Sequence, residues 1–203
     1  MLVKNRFTVT PLVAAVAFWW WPAVATMLGQ DDRAKVFENE RVVISHLRAG
    51  ARARSAAGVR RSGVLISLAD GAVRTTDETF DFPTPREGAV LVELKEARVA
   101  PLTVPRGVAR AFPRQGVKRV IENDRLVVWD LTWQTGMKTA IHFHDRDVVA
   151  VYLGAGTVRS IPVDGEPTAT ARRAGDAVFL PRGRTHIEEC IAGPRRDIII
   201  ELK

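Results

Sequence analysis

GMKTAIHFHDRDVVAVYLGAG, from Gly136 to Gly156, decides the fold, together with its companion GDAVFLPRGRTHIEEC, from Gly175 to Cys190. The chain has four histidines, and three of them stand here: His142, His144 and His186. His142 and His144 are two residues apart, so on a strand both project from one face. His186 follows His144 by 42 residues, just past the turn Pro181-Arg182-Gly183. Two ligands from one strand and a third from a distant one make a facial metal site, and imidazole suits Fe, Mn, Ni, Cu or Zn. His46 has no such company and reads as incidental.

The surroundings are strand-like. RLVVWDLTW, DVVAVYLG, TVRSIPV, DAVFLP and DIIIEL are short runs rich in Val, Ile and aromatics. Turn signals separate them, among them Gly136, Asp164-Gly165, Gly175, Gly183 and Gly193-Pro194. No long window after Gly29 carries a helical period. This pattern predicts an all-β sandwich or barrel. Trp129, Trp133, Phe143, Tyr152 and Phe179 are candidate core residues, and Cys190 reads as a buried structural thiol.

Moving outward, the chain repeats itself. VFENERVV (Val36 to Val43) matches VIENDRLV (Val120 to Val127) at five of eight positions. LADGAVR (Leu68 to Arg74) matches LGAGTVR (Leu153 to Arg159) at four of seven. VELK at 92–95 matches IELK at 200–203. The matches are collinear and place one repeat over 36–95 and a second over 120–203, joined by a Pro-rich linker over 96–119. Gly71 and Glu93 are 22 residues apart, and Gly156 and Glu201 are 45 apart. The first repeat therefore lacks 23 residues, expected to take the segment containing His186 with them.

The front end reads as a targeting segment. Lys4 and Arg6 precede an uncharged run from Phe7 to Gln30, with Ala23-Val24-Ala25 near its end. A positive start, a short apolar stretch and an A-x-A site predict a signal peptide over 1–25 and a periplasmic or secreted destination. The competing expectation is an N-terminal membrane anchor. The chain of 203 residues is 46% hydrophobic and 26% charged, which excludes a disordered or fibrous chain. One cysteine excludes a disulfide framework. The net charge of +7 comes from scattered Arg residues with no interleaved aromatics, a pattern that points away from nucleic acid.

The histidine-bearing half resembles the cupins. Their first motif, G-x5-H-x-H-x3-4-E-x6-G, fits Gly136, His142, His144 and Gly156, with Val149 at the Glu position. Their second, G-x5-P-x-G-x2-H-x3-N, fits Gly175, Pro181, Gly183 and His186, with Cys190 at the Asn position. The resemblance implies a small jelly-roll β-barrel, all-β, with a truncated and degenerate second cupin-like repeat. It implies that His142, His144 and His186 hold one divalent transition metal, Fe foremost, with Mn, Ni, Cu or Zn as alternatives. Because the motif's Glu is absent, the site is either three-His or completed by Asp147 or Glu188, with three-His favoured and Asp147 next. Under the repeat, Ala57 and Val59 replace the His pair, so the first half holds no such metal. Arg182, Arg184 and Glu188 are candidate substrate contacts. The expected function is that of an exported cupin acting on a small molecule, with dioxygenase chemistry ahead of isomerase or hydrolase chemistry. The alternative is non-catalytic binding of a metal or small ligand. A small-molecule ligand and a homodimer are the partners expected.

Overall fold

The Val- and Ile-rich runs form strands, and the richest of them are buried on both faces. In a computed structural model of the chain, residues 33–54, 61–76 and 81–203 are described. The signal peptide expected over 1–25 lies outside the described residues, as do Ala57 and Val59. Asp31–Lys203 form one compact unit. Among the described residues there is no helix. The first strands are β1 (Arg33–Glu38), β2 (Val42–Leu47), β3 (Arg52–Arg54), β4 (Gly63–Ser67), β5 (Val73–Thr76), β6 (Asp81–Pro83) and β7 (Ala89–Leu94). There follow β8 (Ala109–Arg110), β9 (Val117–Glu122), β10 (Leu126–Trp133), β11 (His142–Phe143), β12 (Val148–Tyr152) and β13 (Gly156–Pro162). The last are β14 (Thr168–Arg172), β15 (Ala177–Leu180), β16 (Thr185–Ala192) and β17 (Arg195–Leu202).

Among the described residues, three five-stranded sheets carry the architecture, beside a two-stranded pair of β3 and β6. The first runs β1-β2-β7-β4-β5, the second β9-β10-β17-β12-β15 and the third β14-β13-β16-β11-β8. The second sheet is shared by two cores. Leu126, Val128, Val149, Val151, Ile198, Ile200 and Leu202 face the first sheet, where Val42, Ile44, Val64, Ile66, Val90 and Val92 meet them. The alternate residues Val127, Trp129, Leu131, Trp133, Val148, Ala150, Tyr152 and Ile199 face the barrel interior with Phe112 and Cys190. Two-sided burial explains why β12 reads VVAVY with no polar residue, since a strand covered on both faces has no position for one. Of the aromatics expected in the core, Trp129, Trp133 and Tyr152 face the barrel interior, Phe143 is buried outside both cores, and Phe179 packs on the other side, stacked on Phe37 at 5.4 Å.

The first two sheets match strand for strand: β1 and β9, β2 and β10, β7 and β17, β4 and β12, β5 and β15 occupy the same places in the two orders. Local detail matches as well. Asn39 accepts hydrogen bonds from the backbone N–H of Arg41 and Val42, and Asn123 does the same for Arg125 and Leu126. The edge strands β1 and β9 each have a bulge, at Val36 and at Val120. Arg41 donates to the carbonyl of Lys203, and Arg125 donates to the carbonyl of Lys95. Each half thus bonds the last residue of the other.

Two expectations change. The residues missing from the first half lie between β4 and β5, where five residues (68–72) stand against 24 (153–176) in the second half. What is missing is the β13–β14 hairpin, not the segment containing His186. Val73 pairs with Ile66 as Ala177 pairs with Val151, so the structural counterpart of Val73 is Ala177 and not Val158. The second change concerns 96–119, read as a linker from its prolines. Its β8 pairs in parallel with β11 and closes the third sheet, and Phe112, joined to Pro113 by a cis peptide bond, is 5% exposed in the barrel core.

Candidate metal centre

The backbone brings the three imidazoles together before their side chains are considered. His142 on β11 is the direct antiparallel partner of His186 on β16. Gly183 donates to the carbonyl of His144 at 2.7 Å, and His144 donates to that of Arg184 at 2.9 Å, which ties the two ligand segments together. Gly183 has φ +91°, a conformation open to glycine, so the Pro-x-Gly turn has a backbone reason. His186 and Glu188 lie two apart on β16 and share its inner face.

The result is a cluster in which one atom each from His142, His144, His186 and Glu188 lies within 4.8 Å of every other. All three imidazoles are buried, at 3–4% exposure. His144 Nε2 and His186 Nε2 are 3.0 Å apart. Two nitrogens bound at about 2.1 Å to one metal at a right angle stand about 3 Å apart. Two of the three outer ring nitrogens are engaged by the barrel wall: His142 Nδ1 faces the carbonyl of Ala140 at 3.0 Å, and His186 Nδ1 faces Ser160 Oγ at 2.7 Å, while His144 Nδ1 is buried without a hydrogen-bond partner. A donor proton on Nδ1 leaves Nε2 as the lone-pair atom facing inward. Thr139 Oγ1 accepts from the backbone N–H of Glu188 at 2.9 Å and so braces the carboxylate strand against the His142 loop.

The ionisation states suit a cation. Burial pushes His142 below its ordinary value. Burial, assisted by the nearby Arg184 charge, pushes His144 down to about 2, and burial pushes His186 down to about 4 against the attraction of Glu188. For Glu188 burial is the largest single influence and would raise the value, but the Arg114 guanidinium 2.7 Å away and the three neighbouring histidines together outweigh it, and the carboxyl is held down to about 2. Near neutrality the cluster offers neutral imidazoles and an ionised carboxylate, the forms that ligate metals. Three nitrogens and one oxygen suit first-row transition metals and suit Mg or Ca poorly.

Of the fourth-ligand alternatives, the structure brings Glu188 to the histidines and not Asp147. Asp147 accepts from Arg41 at 2.5 Å and from the backbone N–H of Arg182 at 2.9 Å. It shares a strand face with Val149, but Val149 faces the first sheet while Val148 faces the barrel interior, so that face points away from the site. The Arg182 guanidinium bonds the carbonyl of Ala100. Arg184 donates to the carbonyl of Pro181 at 3.0 Å, and its Nη2 is buried without a hydrogen-bond partner. Arg114, Thr139 and Ser160 were not singled out in the sequence. Arg114 sits in the Pro-rich stretch with no motif around it, and Thr139 and Ser160 are recognisable only once β16 is paired with its neighbours. His46 lies on β2, outside the cluster.

No family model and no curated protein matches the sequence. Solved structures do. AerE from Microcystis aeruginosa is similar over 84% of this chain and 97% of its own, at 9% identity and a TM-score of 0.53. A cupin domain from Bordetella pertussis Tohama I is 23% identical and matches 46% of this chain and 99% of its own, with a TM-score of 0.40. A cupin 2 conserved barrel domain protein from Leptotrichia buccalis is 15% identical over 84% of this chain and 88% of its own, with a TM-score of 0.45.

Proposed function

We propose that this chain of cupin fold holds one divalent transition metal through His142, His144, His186 and Glu188, and uses it to act on a small molecule. The observation that carries this reading is the convergence of the inner ring nitrogens, with two Nε2 atoms 3.0 Å apart and the Glu188 carboxylate beside them. A metal held there would supply Lewis acidity. Dioxygenase chemistry on iron is favoured over isomerisation or hydrolysis. The protein's own contribution is orientation: Ala140 and Ser160 fix the imidazoles, and Arg114 keeps Glu188 ionised.

A second reading, non-catalytic binding of a metal or small ligand, is favoured by one observation. The carboxylate nearest the histidines is already engaged by Arg114 and is not free to move a proton. We further propose that the protein is exported through a signal peptide over 1–25, that its ligand is a small molecule and not nucleic acid, and that its two halves descend from a duplication. The matching strand orders, bulges and Asn turns support the duplication.

The test is elemental analysis of the purified protein beside His142→Ala and His186→Ala. About one equivalent of a first-row metal in the wild type, lost in both variants, is expected for four converging ligands. No metal in the wild type after reconstitution would sink the reading. Iron with substrate-linked oxygen uptake would favour the enzyme, and metal without turnover the binding protein.

A further inference from the structure

Arg114 lies against two aromatic rings at the cluster. Its guanidinium carbon lies 4.9 Å from the ring centroid of Phe112 and 5.3 Å from that of Trp133. One end, Nη1, is 2.7 Å from Glu188 Oε2 and 3.1 Å from His142 Nε2. Its Nε is buried with no hydrogen-bond partner, as is Nη2 of Arg184. A cavity of about 210 Å³ opens onto His142 and Arg114. Its wall also carries Arg110 and Lys138 beside the apolar Met137 and Ile141, and no carboxylate lines it. That volume equals roughly seven water molecules in the liquid, the size of a small metabolite.

The charges around the cluster do not balance. One carboxylate, Glu188, faces the guanidiniums of Arg114 and Arg184. A divalent cation drawing on Glu188 leaves Arg114 without its counter-ion in a place where an unpaired charge is costly. An anion entering by the cationic cavity restores the balance. The planar fork of a guanidinium matches the two oxygens of a carboxylate, and the aromatic rings on Arg114 preserve that fork.

We infer that Arg114 is the recognition group for a small carboxylate that enters through this cavity and lies beside the histidine cluster. The inference deepens the metal-site reading and rests on it for one consequence. A metal that takes Glu188 frees Arg114, so metal and carboxylate each tighten the other's binding by the same factor.

The experiment is calorimetric titration of the purified full chain with malonate and with malonamide, its uncharged counterpart, alongside elemental analysis of the same samples. Malonate is expected to bind at least tenfold more tightly than malonamide. Arg114→Met is expected to bring the two within threefold, with each protein compared at its own measured metal content. Should Arg114→Met fail to fold, Arg114→Lys decides: it keeps the charge, loses the fork and is expected to weaken malonate at least fivefold. Equal binding of the two compounds by the wild type, or undiminished malonate binding in both variants, overturns the inference, as does a preference for inorganic phosphate over malonate. Wild type that holds no metal yet prefers malonate through Arg114 defeats the metal reading and leaves this one standing. Wild type that holds metal without that preference does the reverse.

Discussion

The guanidinium of Arg41 lies 2.5 Å from the carboxylate of Asp147, with side-chain exposures of only 3% and 10%, and it joins residues 106 apart in sequence. Arg41 stands at the turn into β2 of the first half, and Asp147 stands one residue before β12 of the second. Removing one partner of a buried pair strands the other charge, at a cost of roughly 3–5 kcal/mol. Arg41→Ala is therefore expected to lower the melting temperature by on the order of 10 °C. Adding Asp147→Asn removes the stranded charge and should recover part of that loss. Thermal denaturation followed by circular dichroism reads both, and an additive double variant would show that the pair is not coupled.

The same ion pair sets the fate of the two candidate carboxylates apart. Asp147→Asn is expected to leave about one equivalent of metal bound, whereas Glu188→Gln should weaken metal affinity by tenfold or more, since a ligand oxygen's charge is lost. Competition with a metallochromic chelator measures both. Equal losses in the two variants would return Asp147 to the site.

Ser160 touches no ligand atom that faces inward, yet its hydroxyl is 2.7 Å from His186 Nδ1. Partners that fix the orientation of a ligating imidazole typically contribute 10–100-fold in metal affinity. Ser160→Ala should fall in that range with stoichiometry unchanged at saturating metal. A variant indistinguishable from wild type in the same competition assay would show that the ring is held by packing alone.

Asp197 offers a test by pH. It is 1% exposed, and burial, opposed by Arg195 3.0 Å away and by Trp133, raises its value from 3.8 to about 7, with the Glu188 charge adding to the rise. The folded chain therefore carries a proton on Asp197 that the unfolded chain has lost between about pH 4 and pH 7. Stability from this group is present below pH 4 and is lost as pH rises towards 7. The buried histidines have depressed values and the opposite slope, so the clean quantity is a difference between two proteins. Relative to wild type, Asp197→Asn should gain roughly 4 kcal/mol between pH 4 and 7. Urea unfolding of both proteins at three pH values gives that difference, and a flat line across the range would contradict the account.

What the sequence made legible divides along the chain of causes. The three histidines could be read because motif spacing and strand parity are local properties, and β16 keeps His186 and Glu188 on one face as that parity requires. Parity also correctly placed Asp147 with Val149, but it could not say which face of β12 points inward. That depends on the first sheet, which takes the outer face. Arg114 was hidden for a different reason. Prolines at 101, 105 and 113 speak against regular structure, yet the segment returns through β8 and carries Phe112 into the barrel. The matching stretches misplace the gap between them, because LADGAVR resembles LGAGTVR while Val73 takes the structural place of Ala177.

The reciprocal bonds from Arg41 to Lys203 and from Arg125 to Lys95 have the form of a contact between two like molecules, each giving the other what it receives. Here both parties belong to one chain. Their encounter is a first-order event, set by the effective concentration that the connecting segment imposes and indifferent to how dilute the protein becomes. The half without the histidine cluster is in that sense a partner that cannot dissociate. It keeps the apolar outer face of the barrel sheet covered at any expression level.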